Sequence, residues 1–169
     1  MAGDRSAEYL RAWFAKAEAE DDVFNRFMSG WLVLAMAANI YCTKSGGNMP
    51  EERESQRIIA YLKSQAHSVE EAAQANRLGM EALARRSGTN GGVVIDGKQH
   101  FCRKFRGKIL KASSCSSEDF AEAMGEILNR VRNNLFHGVK SYDDTGDRVL
   151  LELITPFLLT FLAASEHLK

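Results

Sequence analysis

Residues 22–42 decide the fold and read DVFNRFMSGWLVLAMAANIYC. Asp21 and Asp22 can cap a helix here, because a carboxylate accepts hydrogen bonds from the free N–H groups of a first turn. Apolar side chains then recur at helical spacing, and we expect the helix to run to about Cys42. The residues that mark its buried side are Val23, Phe24, Phe27, Trp31, Leu34 and Ala38.

Helical spacing continues on both sides of this stretch. An amphipathic helix is predicted around residues 9–17. Another should open at Pro50, because proline suits a first turn and the carboxylates of Glu51, Glu52 and Glu54 suit the positive end of the helix dipole. A further helix should start at Ser68 and carries the apolar residues Val69, Ala72, Ala73, Leu78 and Leu83. The helical pattern returns over Phe101–Lys111, and the next predicted helix has its cap at Ser117 and runs from Glu118 to about His137. The last predicted helix covers Arg148–Leu168, where Pro156 should kink it.

Two segments interrupt the helical pattern. Residues 87–100, SGTNGGVVIDGKQH, are rich in glycine and are compatible with a mobile loop or a short β-hairpin. Residues 138–147 form a second predicted loop. The sequence therefore predicts an all-α bundle of about five to seven helices, in a single domain over residues 1–169 with an insertion at about 87–100.

Composition excludes several classes of protein. The 169 residues carry 22 basic and 22 acidic side chains, which excludes a uniformly basic nucleic-acid binder. Two prolines argue against a turn-rich β-sandwich. Three cysteines at irregular spacing fit neither a disulfide framework nor paired zinc knuckles, and the histidines lack metal-ligand spacing, so we expect no metal or cofactor.

The chain shows no signal-peptide pattern, and its longest apolar run, Trp31–Ala38, is far shorter than the ~20 residues that span a bilayer. We therefore expect a cytoplasmic protein without a membrane partner.

A candidate catalytic group is His137, at the end of a predicted helix that Gly138 should terminate. The negative end of the helix dipole favours an imidazolium there, which suits proton transfer near neutral pH. Asn133 lies on the same helix face, whereas Arg132 lies about 140° around the helix from His137. The spacing alone is weak, and a solvated arginine with a capping histidine is the alternative interpretation.

The string Arg132-Asn133-Asn134-Leu135-Phe136-His137-Gly138 resembles the signature of the higher-eukaryote and prokaryote nucleotide-binding (HEPN) domain family. That signature is an arginine, a polar residue, and a histidine four to six positions after the arginine. The resemblance extends to an early helix, whose aromatic, Trp, Asn and Tyr residues are similar to those of stand-alone family members. These residues are Phe24, Phe27, Trp31, Asn39 and Tyr41.

The resemblance implies a helical bundle that forms a homodimer and cleaves RNA without a metal ion, in defence or in a toxin–antitoxin pair. In that case Arg132 would hold the scissile phosphate, His137 would be the general acid or base, and Asn133 would orient the phosphate. A regulatory protein or antitoxin is a possible further partner. Val139 stands where family toxins that are modified by a nucleotidyltransferase carry a tyrosine, so control by that route is doubtful. Other family members are non-catalytic RNA-binding or scaffold modules, and this alternative stays open.

A second candidate region is the basic segment 98–111, KQHFCRKFRGKILK, which contains no acid. Interleaved Phe101 and Phe105 suggest a track for RNA phosphates with base stacking. A solvated helix face with both phenylalanines in the core is the alternative interpretation. The candidate RNA-binding residues here are Lys98, Arg103, Lys104, Arg106 and Lys108.

Overall fold

Seven α-helices appear in the computed structural model, which describes residues 2–45, 53–86, 109, 115–136 and 145–168. The predicted all-α bundle of five to seven helices is confirmed. The insertion at 87–100, most of the basic segment and residues 138–144 lie outside the described residues. The second predicted loop, 138–147, is wrong at its end, because residues 145–147 are helical. The helices are α1 (Ala2–Ala19), α2 (Val23–Lys44), α3 (Glu54–Ser64), α4 (Ala66–Ala75), α5 (Arg77–Arg86), α6 (Ser117–Phe136) and α7 (Thr145–Ala164).

Helix α2 packs against α1, α3 and α7. The predicted cap is confirmed, because Oδ1 of Asp22 accepts a hydrogen bond from the Asn25 N–H at 2.9 Å. Gly30 allows α7 to approach closely, since a Cβ atom at this position would lie 3.1 Å from Cδ2 of Leu158. The buried residues of α2 are Phe27, Ser29, Gly30, Trp31, Val33, Leu34, Ala35, Ala37, Ala38 and Cys42, whereas Val23 and Phe24 are only partly buried.

Among the described helices, α2 alone is long and apolar enough to cross a membrane by length and composition. Its apolar stretch is 44% buried inside the molecule. The central helix of a helical bundle has the same composition, so this finding is weak evidence for a membrane span.

Helices α3 and α6 form an antiparallel pair. Nζ of Lys63, near the end of α3, lies 3.6 Å from Oε2 of Glu122 in the first half of α6. Further along α6, Nδ2 of Asn129 donates to the carbonyl oxygen of Ser55, in the first turn of α3, at 3.4 Å. The end of α6 therefore lies beside the beginning of α3.

The prediction of one helix starting at Ser68 is wrong, because α4 begins at Ala66 and a separate helix, α5, follows a break at Asn76. Nδ2 of Asn76 donates to the Ala72 carbonyl at 2.8 Å and to Oγ1 of Thr160 on α7 at 2.9 Å. This bond to a distant helix stabilises the break. Leu78, one of the apolar residues of the predicted helix, is 84% exposed in α5.

Three helix boundaries differ from the prediction. Arg53 has extended backbone angles, so α3 begins at Glu54 and not at Pro50. The cap of α6 is Ser116 and not Ser117, because Oγ of Ser116 accepts from the Asp119 N–H at 3.0 Å. Helix α7 covers Thr145–Ala164 where Arg148–Leu168 was expected, and it includes Pro156; the kink stays a prediction.

A buried hydrogen bond ties α3 to the segment after α7. The hydroxyl oxygens of Tyr61 and Ser165 lie 2.7 Å apart, and both residues are 1% exposed. Burial raises the pKa of Tyr61, and the hydrogen bond to Ser165 partly offsets this shift.

This pair predicts a non-additive effect on stability. Ser165→Ala leaves a buried Tyr61 hydroxyl without its partner and should lower the free energy of unfolding by about 1–3 kcal/mol. The double variant Tyr61→Phe/Ser165→Ala should lose less than the sum of the two single variants, because no polar atom of the pair is left behind. Urea denaturation of all four proteins measures the difference, and additive losses would contradict the coupling.

Candidate functional site

Arg132 lies near the end of α6, and its side chain reaches two other helices. Its Nη2 lies 3.5 Å from Oε1 of Glu54, the first residue of α3. Its guanidinium carbon lies 5.8 Å from the centre of the Trp31 ring on α2. The Arg132 side chain contacts both helices and is 33% exposed, so part of it still reaches solvent.

The indole of Trp31 gives this contact a fixed position. Trp31 is 2% exposed, and the Phe27 ring lies 6.5 Å from it at an angle of 29°. A cation over an aromatic ring is attracted by the negative charge of the ring face, by about 0.5–2 kcal/mol. Because the ring is buried, the contact restricts where the guanidinium can lie.

The Glu54 carboxylate partly neutralises Arg132 but does not fix the position of its side chain. Its side chain is 43% exposed, and one of its oxygens contacts Arg132 at 3.5 Å. Ion pairs this exposed are worth about 0–1 kcal/mol, because water screens them. An anion of higher charge can therefore displace Glu54 from Arg132 at low energetic cost.

Asn133 lies directly beside Arg132 and is exposed. Its Oδ1 accepts a hydrogen bond from Nη1 of Arg132 at 3.0 Å. This bond uses the acceptor of the amide and leaves its two N–H groups as donors. The exposed Asn133 amide and the partly exposed Arg132 side chain therefore lie together at the end of α6, and groups of this kind can donate to an anion such as a phosphate.

The structure places two of the three predicted catalytic residues together, Arg132 and Asn133. His137 lies outside the described residues, so its position relative to Arg132 stays a prediction. The predicted RNA-binding residues also lie outside the described residues; they are Lys98, Arg103, Lys104, Arg106 and Lys108.

The residues of α2 that resemble the HEPN pattern separate into two groups. Trp31, with Phe27 stacked on it, belongs to the Arg132 site. Tyr41 and Asn39 lie at the other end of α2, where the Tyr41 ring centre is 5.7 Å from that of Tyr61. The two parts of the sequence resemblance therefore meet at a single contact, Trp31 with Arg132.

Glu54 is the site residue that sequence reasoning missed. The sequence suggested only that the Glu54 carboxylate stabilises the N-terminus of a helix. No spacing rule connects it to Arg132, because the two residues are brought together by the antiparallel packing of α3 and α6.

Two cavities lie elsewhere in the described part of the chain. One, of about 510 Å³, lies between α4 and the start of α6 and is lined by residues that include His67, Glu70 and Phe120. The other, of about 390 Å³, lies between α1, the end of α2 and His167. Within the described residues no group of three His, Cys, Asp or Glu side chains could hold a metal ion.

Comparison of the chain with protein-family models, with curated proteins and with solved structures gives no match. The assignment to the HEPN family stays a prediction that rests on the sequence string 132–138 and on the aromatic pattern of the early helix.

The exposure of the Glu54–Arg132 pair predicts a weak, salt-sensitive coupling. In a double-mutant cycle with Glu54→Gln and Arg132→Gln, the coupling should be below about 1 kcal/mol at low salt and should decrease as salt is added. The measurement is the free energy of unfolding of the four proteins. A coupling above about 2 kcal/mol that persists at high salt would show that Arg132 is locked in the fold and is not free to bind an anion.

Proposed function

We propose that the chain is a metal-independent endoribonuclease of the HEPN type, which acts as a homodimer in defence or in a toxin–antitoxin pair. The observation that carries the proposal is the position of Arg132, which lies over the buried Trp31 ring beside Asn133 and keeps access to solvent. The string 132–138 adds the histidine that such a reaction needs.

Arg132 supplies the anion-binding part of the proposed reaction. A guanidinium is planar and can donate two parallel hydrogen bonds to a phosphate, which a lysine cannot. Contact with the buried Trp31 ring arranges this group before RNA arrives, and pre-arranged donors stabilise the charge that develops on the phosphate oxygens.

His137 would supply the proton transfer. The ribose 2′-hydroxyl loses its proton to a base and attacks the neighbouring phosphorus. The bond from phosphorus to the 5′-oxygen then breaks, and this oxygen takes a proton from an acid, leaving a 2′,3′-cyclic phosphate. The attacking hydroxyl exists in RNA and not in DNA, so RNA is the substrate.

A homodimer explains how Arg132 and His137 can act on one phosphate. On one straight helix the two residues point about 140° apart. If two copies face each other, Arg132 of one copy can serve His137 of the other. This pairing of residues from two copies is part of the proposed function.

A second candidate function is a non-catalytic RNA-binding or scaffold module. The observation that favours it is Glu54, whose carboxylate neutralises part of the Arg132 charge. In such a module Arg132 would bind a phosphate or a partner protein, and no bond would be cleaved.

Cleavage of a labelled RNA in the presence of EDTA tests the enzyme. His137→Ala should reduce the single-turnover rate by about 10²–10⁴-fold, and Arg132→Ala by about 10²–10³-fold. The matched control is Arg148→Ala, which removes an exposed arginine that also pairs with a glutamate, on α7; its rate should stay within about twofold of wild type.

The outcomes separate the candidate functions. Loss of cleavage in the first two variants with retention in the control supports the endoribonuclease. Binding of RNA without cleavage by the wild type supports the module. Neither binding nor cleavage would overturn both functions.

Glu54 should weaken RNA binding, because it competes with phosphate for Arg132. Glu54→Gln is expected to tighten RNA binding by about two- to tenfold at low salt, with a smaller gain at high salt. Glu152→Gln is the matched control, since Glu152 pairs with Arg148 on α7. Fluorescence anisotropy of a labelled RNA measures both, and equal affinities of the two variants would contradict a special role of Glu54.

A further inference from the structure

The cavity of about 390 Å³ between α1, α2 and the C-terminal turn has the size of a small-ligand site. We call it the α1–α2 cavity. Trp31, Glu54, Arg132 and Asn133 do not line it, so it is separate from the candidate RNA site. The described residues that line it are Ser6, Ala7, Leu10, Asn39, Ile40, Thr43, Lys44 and His167.

Its charge favours an anion. Lys44 lines the cavity, and no aspartate or glutamate is among the described lining residues. Within the described part of the chain Lys44 forms no ion pair. An ammonium group on a concave surface attracts negative charge more strongly than one on a convex surface.

The other polar groups supply hydrogen bonds around this cation. The Thr43 hydroxyl donates to the Asn39 backbone carbonyl at 2.8 Å. Asn39 itself lines the cavity, and its side-chain amide can donate to an anion. The Ser6 hydroxyl adds a further donor from α1. Leu10 and Ile40 form an apolar part of the wall, which fits a ligand with an apolar body.

His167 lines the cavity, and contacts with Tyr61 and Ser165 fix its position. Its ring centre lies 5.7 Å from that of Tyr61, with 29° between the ring planes, and the backbone N–H of His167 donates to Oγ of Ser165 at 3.3 Å. Burial, and then the charge of Lys44, lower the pKa of His167, and the charge of Glu166 partly opposes this shift. The net lowering leaves the imidazole neutral near pH 7. A neutral imidazole can donate one hydrogen bond without adding charge.

We propose that the α1–α2 cavity binds a small organic anion, a carboxylate or a phosphate monoester with an apolar body, whose charged group contacts Lys44 and whose apolar body packs on Leu10 and Ile40. The proposal does not depend on the ribonuclease activity.

The probes that test it are benzoate, phenyl phosphate and the neutral benzyl alcohol, titrated into the full chain at pH 7 by calorimetry and by NMR of the His167 ring. We expect saturable binding of at least one anion, with weak or no binding of the alcohol. Lys44→Gln should weaken the binding about tenfold or more, which corresponds to about 1.4 kcal/mol. Ala7→Phe, which fills the cavity and keeps its charge, should abolish it.

Lys63→Gln is the matched control, because its ammonium group pairs with Glu122 on the surface between α3 and α6; it should bind the anion as the wild type does. Thermal unfolding checks that each variant is folded. Binding of benzoate alone or of phenyl phosphate alone supports the site and identifies the anionic group. The proposal is overturned if neither anion saturates, if the alcohol binds equally well, or if folded Lys44→Gln and Ala7→Phe proteins bind as the wild type does.

Discussion

The packing of α2 against α1, α3 and α7 is the constraint on which the rest of the structure depends. Phe27, Trp31 and Leu34 are almost completely buried in this packing, and Gly30 allows α7 to come close. Fully burying side chains of this size stabilises a fold by about 1.5–3 kcal/mol each. The same burial fixes the Trp31 ring, on which the guanidinium of Arg132 rests.

A second constraint is the antiparallel register of α3 and α6. It places the beginning of α3 beside the end of α6, so Glu54 meets Arg132. The two constraints have opposite consequences for function, since the ring restricts the position of the cation while the carboxylate partly neutralises it. Arg132 is positioned by the Trp31 ring but only weakly paired with Glu54, so it is suited to exchange the Glu54 carboxylate for a phosphate.

Local sequence patterns predicted much of the fold. The helical period of residues 22–42 and the Asp22 cap involve neighbouring residues only, so the sequence was sufficient to predict α2 and its start. The break at Asn76 could not be predicted in this way, because its amide bonds to Thr160 on another helix.

The candidate site also has a part that local sequence predicts and a part that only tertiary packing determines. Arg132 and Asn133 were found from one short string, in which neighbours in sequence are neighbours in space. The contacts with Trp31 and Glu54 depend on tertiary packing, and no spacing within the sequence reports them. The family resemblance named Trp31 as a residue of interest, but only the fold shows what its ring contacts.

Trp31 itself offers the most direct test of whether Arg132 binds RNA phosphates. The chain has two tryptophans, so Trp13→Phe leaves Trp31 as the single source of indole fluorescence. This protein can be titrated with a 2′-O-methyl RNA, which binds but cannot be cleaved through the 2′-oxygen. If Arg132 moves from Glu54 to a phosphate, Trp31 emission should change saturably, and Arg132→Gln should remove the change. Binding of the RNA with unchanged Trp31 emission, or an equal change in the Arg132→Gln protein, would contradict the assignment of Arg132 as the phosphate-binding residue.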